Sequence, residues 1–201
     1  MKTLIAMLLL TPMLVNAGNM DLFFHKDSPN MYIAFTGDIV LGDNQRLKTV
    51  LAENPAINGI SLDSPGGNTY AAKMLAQTIR ENNLVTFVGS KGSCASACVN
   101  VFLGGTSRIA FTTSRFGIHP SRMESIKASS TINDVFNDGQ AHAIEYAYEW
   151  AKYVDTGKEF KAIQFLRHIY NKTSYKSMYW ANTEDLKDIS VITRLAQTPT
   201  E

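Results

Sequence analysis

The chain has 201 residues, enough for one domain with a real hydrophobic core. Hydrophobic residues make up 45% and charged residues 18%, which speaks against a disordered chain. The formal net charge is +1 and no run of Lys or Arg occurs, so neither a nucleic-acid groove nor an anionic membrane surface is indicated as a partner.

The N-terminus departs from this globular pattern. Lys2 supplies a positive start, residues 4–10 are an apolar run, Pro12 breaks it, and Val15-Asn16-Ala17 offers small side chains for a signal peptidase. Residues 1–17 therefore read as a cleavable signal peptide, and 18–201 as a single domain whose mature terminus is Gly18. The run is too short to span a hydrocarbon core of ~30 Å. No Cys follows the cleavage point to carry a lipid, so no stable membrane anchor is expected after cleavage. For a bacterial source the expected location is periplasmic or secreted.

Beyond it, Met31 to Phe35 reads as a buried strand stopped by Thr36-Gly37. Residues 43–53 read as a helix with Asp43 as N-cap, and Ile57 to Leu62 as a second strand. The turn Asp63-Ser64-Pro65-Gly66-Gly67 leads into an amphipathic helix over 69–82, then a strand from Leu84 to Val88. Small residues from Gly92 to Ser96 open a helix through Val99 and Phe102 that Gly104-Gly105 stops. Short strands follow at Arg108–Phe111 and Arg115–Ile118. The polar stretch 121–138 reads as a loop or lid, residues 140–154 and 158–170 as helices, and Ile189–Ile192 as a closing strand. This alternation predicts an α/β fold with a mainly parallel sheet, βα crossover units and C-terminal helices.

Three segments carry chemistry. In the Ser64 to Gly67 turn, Pro65 fixes its own φ while two glycines allow positive φ and close approach of another backbone. Such a turn can present unpaired N–H groups to an oxyanion beside an extended peptide, or be a plain strand-to-helix turn. In Cys94-Ala95-Ser96-Ala97-Cys98, Ser96 stands at a helix start, where the dipole stabilises developing negative charge and the Ala97 N–H faces the same point. A plain N-cap is the bland alternative. Cys94 and Cys98 read as two small buried thiols rather than a short-looped disulfide, and no ligand-spaced partner suggests a metal. His119 ends an apolar strand just before Pro120, a usual location for a functional group, whereas His25, His142 and His168 read as ordinary polar histidines.

In this order the segments resemble the Clp peptidase and signal-peptide-peptidase-A group of serine proteases, within the crotonase-like fold. The resemblance rests on Gly37-Asp38-Ile39, Asp63-Ser64-Pro65-Gly66-Gly67, Ser93-Cys94-Ala95-Ser96-Ala97 and Arg115-Phe116-Gly117-Ile118-His119-Pro120. Gaps of 30 residues from Gly66 to Ser96 and 23 from Ser96 to His119 accompany it. It covers residues 31–120 well and the last third loosely. It implies Ser96 as nucleophile, His119 as general base, Gly66 and Ala97 as oxyanion donors, and Gly67 as part of the strand that holds substrate. The third member departs from the pattern: Ser177 stands where the group has an Asp, and Asp155, Asp185 and Asp188 fall out of register. Ser can orient an imidazole but does not stabilise imidazolium as a carboxylate does.

The resemblance implies a serine peptidase or hydrolase that acts on peptides or unfolded chains, needs no cofactor and can associate with copies of itself; the N-terminal segment makes it exported, and the lack of a Gly-x-x-x-x-Gly-Lys-Ser/Thr loop makes it ATP-independent. The alternative is a binding or assembly module that kept the fold without the chemistry. An acyl-CoA enzyme is a third reading that export disfavours.

Overall fold

The computed structural model describes residues 17–24, 30–120, 131–174 and 176–197, with only the helical path given for 132–142. The expected signal peptide lies outside these residues but for Ala17, as does His25. In chain order the elements are β1 (Asn19–Phe24), β2 (Met31–Thr36), α1 (Asp43–Glu53), β3 (Ile57–Asp63), α2 (Thr69–Glu81), β4 (Val85–Val88) and β5 (Ser93–Ala95). They continue with α3 (Ala97–Leu103), β6 (Arg108–Phe111), β7 (Arg115–Ile118), α4 (Ile132–Tyr153), α5 (Glu159–Lys172), β8 (Tyr179–Ala181), α6 (Thr183–Asp188) and β9 (Arg194–Ala196).

Six strands form a sheet in the order β1-β2-β3-β4-β6-β9, parallel throughout except for the antiparallel edge strand β1. The two-residue alternation that marks a half-buried strand is plain in β4, where Thr86 and Val88 are buried and their neighbours are not. A second sheet of three strands, β5-β7-β8, has β5 and β7 parallel and β8 antiparallel. The helical crossovers α1 and α2 each return the chain to a parallel neighbour, as parallel pairing requires. The core lies where α2 and α3 meet the sheet. Leu75, Ile79, Phe102 and Leu103 are buried there, and Trp150 closes it from α4. All seven residues of α3 are buried.

Several boundaries differ from the expected ones. Gly42, at φ 96, caps α1 instead of Asp43. Asp43 is the first helical residue, and its buried carboxylate accepts from the Val40 N–H at 2.8 Å and pairs with Arg46 at 2.8 Å. The apolar run Ile189–Ile192 is buried but is no strand, because Arg108 takes its carbonyls. The Arg108 side chain donates to Ser190 O at 2.7 Å and Val191 O at 2.9 Å, and Ser190 has φ 59. The strand forms instead at β9. In the expected lid, residues 121–130 lie outside the description, while 132–138 belong to α4. Polar residues such as Asn133, Asp134, Asn137 and Asp138 hide the helical period of that turn.

Candidate active site

Ser96 stands between β5 and α3, in a backbone conformation that side chains rarely adopt (φ 54, ψ −126). The turn is held from three sides. Ser96 N–H donates to Gly117 O at 2.7 Å, Ala95 N–H to Ser64 O at 3.0 Å, and Val99 N–H to Ser96 O at 3.0 Å. Position alone makes Ser96 the N-cap of α3, yet its hydroxyl caps nothing. Ser96 Oγ lies 2.8 Å from His119 Nε2 instead. Both residues are half-buried, so solvent reaches them.

The cysteines depart from the expected free thiols. Cys94 and Cys98 are joined in a disulfide, with Cα atoms 5.2 Å apart and both side chains fully buried. They do not share a helix face. Cys94 belongs to β5 and Cys98 to the first turn of α3, and the reversal at Ser96 folds one back on the other. The nucleophile candidate is thus the middle residue of the disulfide loop.

The glycine turn packs directly against this loop. Ser64 N–H donates to Ser93 O at 2.8 Å, and Ser93 N–H to the Asp63 carboxylate at 3.0 Å. Gly66, at φ 103, has room for no side chain: a Cβ would lie 2.8 Å from Ser96 Cβ and 2.9 Å from Ala97 N. Ala97 begins α3, so its N–H has no acceptor within the helix. The Gly66 N–H differs, because it already donates to Ser64 Oγ at 3.1 Å while that hydroxyl donates to Gly37 O at 2.6 Å. Ala97 therefore supplies the open donor, and Gly66 one that an oxyanion would have to share. Gly67 pairs with Ile39 in parallel register. Ile39 bonds to Gly66 O and to the Asn68 N–H, at 2.8 Å each. By strand alternation the N–H and C=O of Gly67 itself face the other side, where an extended peptide could pair.

For Ser96 to donate to Nε2, the imidazole proton must sit on Nδ1. That Nδ1 is buried and has no partner among the described residues. Ser177 does not supply one. It is exposed, and its Oγ accepts from Ser174 N–H at 2.9 Å, closing a local turn that holds the hydroxyl at home. Asp155 stands 3.8 Å from Arg108, Asp188 lies 3.7 Å from Lys161, and Asp185 sits exposed in the first turn of α6. His168 is exposed, as its polar setting suggests.

A cavity of about 200 Å³ opens between α2, α3 and α4, lined by Tyr70, Lys73, Asn100, Glu145, Tyr146 and Glu149, with Thr69 at its edge. Lys73 Nζ bonds Glu145 at 3.0 Å and Glu149 at 3.1 Å. Hydrogen bonds to Glu145 first and Glu149 second hold its ammonium above the ordinary range. The sequence pattern marks none of these residues as a site. The one available signal was Asn100, an amide in a helix whose other residues are apolar or small. Among the described residues no group of three or more His, Cys, Asp or Glu could hold a metal.

No protein-family model matches this sequence, and no curated protein matches it either. The architecture is nevertheless shared. The structure of a ClpP1 mutant from Listeria monocytogenes superposes with a TM-score of 0.59 at 17% identity, covering 83% of this chain and 91% of that one. The chain has a ClpP-like fold. At that identity the likeness speaks for the fold alone. The ClpP-like order of strands and helices is what carries Ser96, His119 and the glycine turn to one end of the three-stranded sheet.

Proposed function

We propose that this chain is an exported serine peptidase or hydrolase, ATP-independent and without a cofactor, in which Ser96 is the nucleophile and His119 the general base. The observation that carries the reading is the 2.8 Å approach of Ser96 Oγ to His119 Nε2 by a serine that leaves its helix uncapped. Ser96 Oγ attacks the scissile carbonyl carbon as its proton passes to Nε2, and the carbonyl π pair moves onto oxygen. The Ala97 N–H, with Gly66 sharing, receives that oxyanion at the start of α3, where the dipole favours negative charge. Collapse breaks the bond to the leaving amine or alcohol, which takes the proton from the imidazolium. Water then releases the acyl group from Ser96 by the same steps with His119 again as base. Substrate backbone pairs along Gly67, which suits a peptide or unfolded chain.

The test is covalent labelling by a fluorophosphonate, read by intact mass. Wild type gains one adduct on Ser96, and Ser96→Ala gains none. His119→Ala slows labelling by orders of magnitude, since the two groups act as a unit. A Ser96→Ala protein that still hydrolyses substrate at the wild-type rate would falsify the reading.

One observation favours the alternative of a binding or assembly module: His119 Nδ1 is without a partner among the described residues, so nothing there stabilises imidazolium. A folded wild type that resists the probe would establish that alternative.

Export rests on Lys2, the apolar run and Val15-Asn16-Ala17. Gly18 is anchored to Asp38 O and by Arg46, so a chain starting there keeps these contacts. Mass spectrometry after expression in a bacterial host should find Gly18 first, and an intact Met1 on soluble protein would overturn export. Self-association rests on Ile144 and Tyr148 of α4 and Phe160 of α5, each about two-thirds exposed. Of the other aromatics of α4 and α5, Trp150 and Tyr153 are buried in the core and Tyr146 and Phe165 are half-buried against it. Light scattering that finds only monomer at micromolar concentration would remove it.

A further inference from the structure

The cavity between α2, α3 and α4 has a position and a charge pattern that the proposed chemistry does not use. Its edge at Thr69 comes two residues after Gly67, and Asn100 comes four after Ser96. Helices α2 and α3 therefore begin at the reacting centre and form the cavity wall within their first turns, roughly 5 Å further on. A substrate side chain close to the scissile bond is therefore within reach of it.

Several acceptors inside are left without a protein donor among the described residues. Glu145 and Glu149 each give one oxygen, Oε1, to Lys73, which leaves their second oxygens without a protein donor among the described residues. Asn100 is 9% exposed, and its Oδ1 is buried with no partner among the described residues. The charges sum to one net negative: two carboxylates against one ammonium. Tyr70 and Tyr146 add ring surface, against which an aliphatic stem or a guanidinium can lie.

We infer that this cavity selects substrates with a lysine or arginine side chain next to the scissile carbonyl. The inference rests on the serine-hydrolase reading and names its substrate class. The incoming cation reaches the free oxygens of Glu145 and Glu149 and donates to Asn100 Oδ1. Lys73 and Glu145 have the mobility to make room, with side chains 40% and 57% exposed, whereas Glu149, at 13%, is the fixed acceptor. An acidic side chain meets two carboxylates of its own sign. An apolar one desolvates Glu149 and leaves Asn100 Oδ1 still without a donor, which is how a hydrogen-bonding site rejects an analogue.

The experiment uses two peptidyl phosphonates that differ only in this side chain, one lysyl and one leucyl. A simple fluorophosphonate without a peptide reports the nucleophile alone. The lysyl probe is expected to modify Ser96 about tenfold faster than the leucyl probe, as for a desolvated ion pair with a second donor. Glu149→Gln moves that ratio toward unity, and Glu145→Gln, at the exposed carboxylate, does so to a smaller degree and covers the case in which Glu149→Gln fails to fold. Lys73→Met raises the ratio by removing the resident competitor. A leucyl probe that reacts as fast as the lysyl one, with the simple fluorophosphonate still labelling Ser96, overturns the inference and leaves the hydrolase reading standing. No labelling by the simple fluorophosphonate overturns both.

Discussion

Replacing Gly66 by Ala tests the assembly of the site. The new methyl would lie 2.6 Å from Ala95 O, 2.8 Å from Ser96 Cβ and 2.9 Å from Ala97 N. None of these is the free end of a flexible side chain, so relief requires the backbone of the Ser96 turn to move. The φ of 103 adds a second cost, about 1–2 kcal/mol for a residue with a Cβ in a left-handed conformation. Overpacking contributes about 1–3 kcal/mol more. The sum of roughly 2–5 kcal/mol lowers the melting midpoint of a domain this size by roughly 4–20 °C. A displacement of about 1 Å at a reacting group is worth on the order of 100-fold in rate. Differential scanning fluorimetry and fluorophosphonate labelling, below the melting point of the variant, should show both losses. Gly89→Ala is the control, since a Cβ there meets nothing within 4 Å and its φ is not positive. A Gly66→Ala protein that melts and labels like wild type would refute the close approach of the glycine turn to Ser96.

The Cys94→Ala/Cys98→Ala double variant should lose about 2 kcal/mol for a loop of this length, plus the packing of two buried sulfurs, yet keep its labelling, because backbone bonds to Gly117 and Ser64 hold Ser96 independently. Loss of labelling in the folded variant would assign the disulfide a positioning role. Ser177→Ala should leave the labelling rate within about twofold, since its hydroxyl serves Ser174; a tenfold loss would mean that it reaches His119 in solution. At alkaline pH the tyrosines of α4 and α5 should govern stability. Burial pushes Tyr146 up to about 12 and raises Tyr170 as well, so each favours the fold below about pH 10 and loses that contribution as pH rises above it. Melting points between pH 9 and 12 should fall in wild type and fall less in Tyr146→Phe/Tyr170→Phe, whereas equal slopes would show that these phenols do not control it.

The parallel core was legible because its strands and helices announce themselves locally: the Met31 to Phe35 run, the face of Leu75 and Ile79, the stops at Gly89 and Gly104. The approach of Ser96 to His119 was legible through their order behind the double glycine. What local pattern could not show was who bonds to whom. Cys94 and Cys98 look like neighbours on a helix until the strand-to-helix reversal at Ser96 is known. Asp43 looks like a cap until Val40 and Arg46 claim its carboxylate. Ile189–Ile192 has the composition of a strand, but the distant Arg108 side chain takes its carbonyls. Short edge elements such as β1 and β8 carry too little periodicity to read and depend on their partners β2 and β7. The charged cavity joins Lys73 to Glu145, 72 positions away, a separation no spacing rule spans.

The helix behind Ser96 is buried on every side, and Phe102 within it packs edge-on against Phe116 of β7 at 5.0 Å between ring centres. Catalytic groups commonly sit on segments that open by local fluctuation, apart from the most protected part of a molecule. The proposed nucleophile lies instead against the most protected part of the molecule. Amides of α3 beyond its first turn are hydrogen-bonded within a helix that is buried on every side, so their deuterium uptake should report global stability, whereas the open Ala97 N–H exchanges from the native state. No modest excursion of the backbone releases Ser96 from its turn. Whatever turns this site on or off must then act at its mouth, on His119 or on the rotamers of Lys73 and Glu145, while the helix beneath stays fixed.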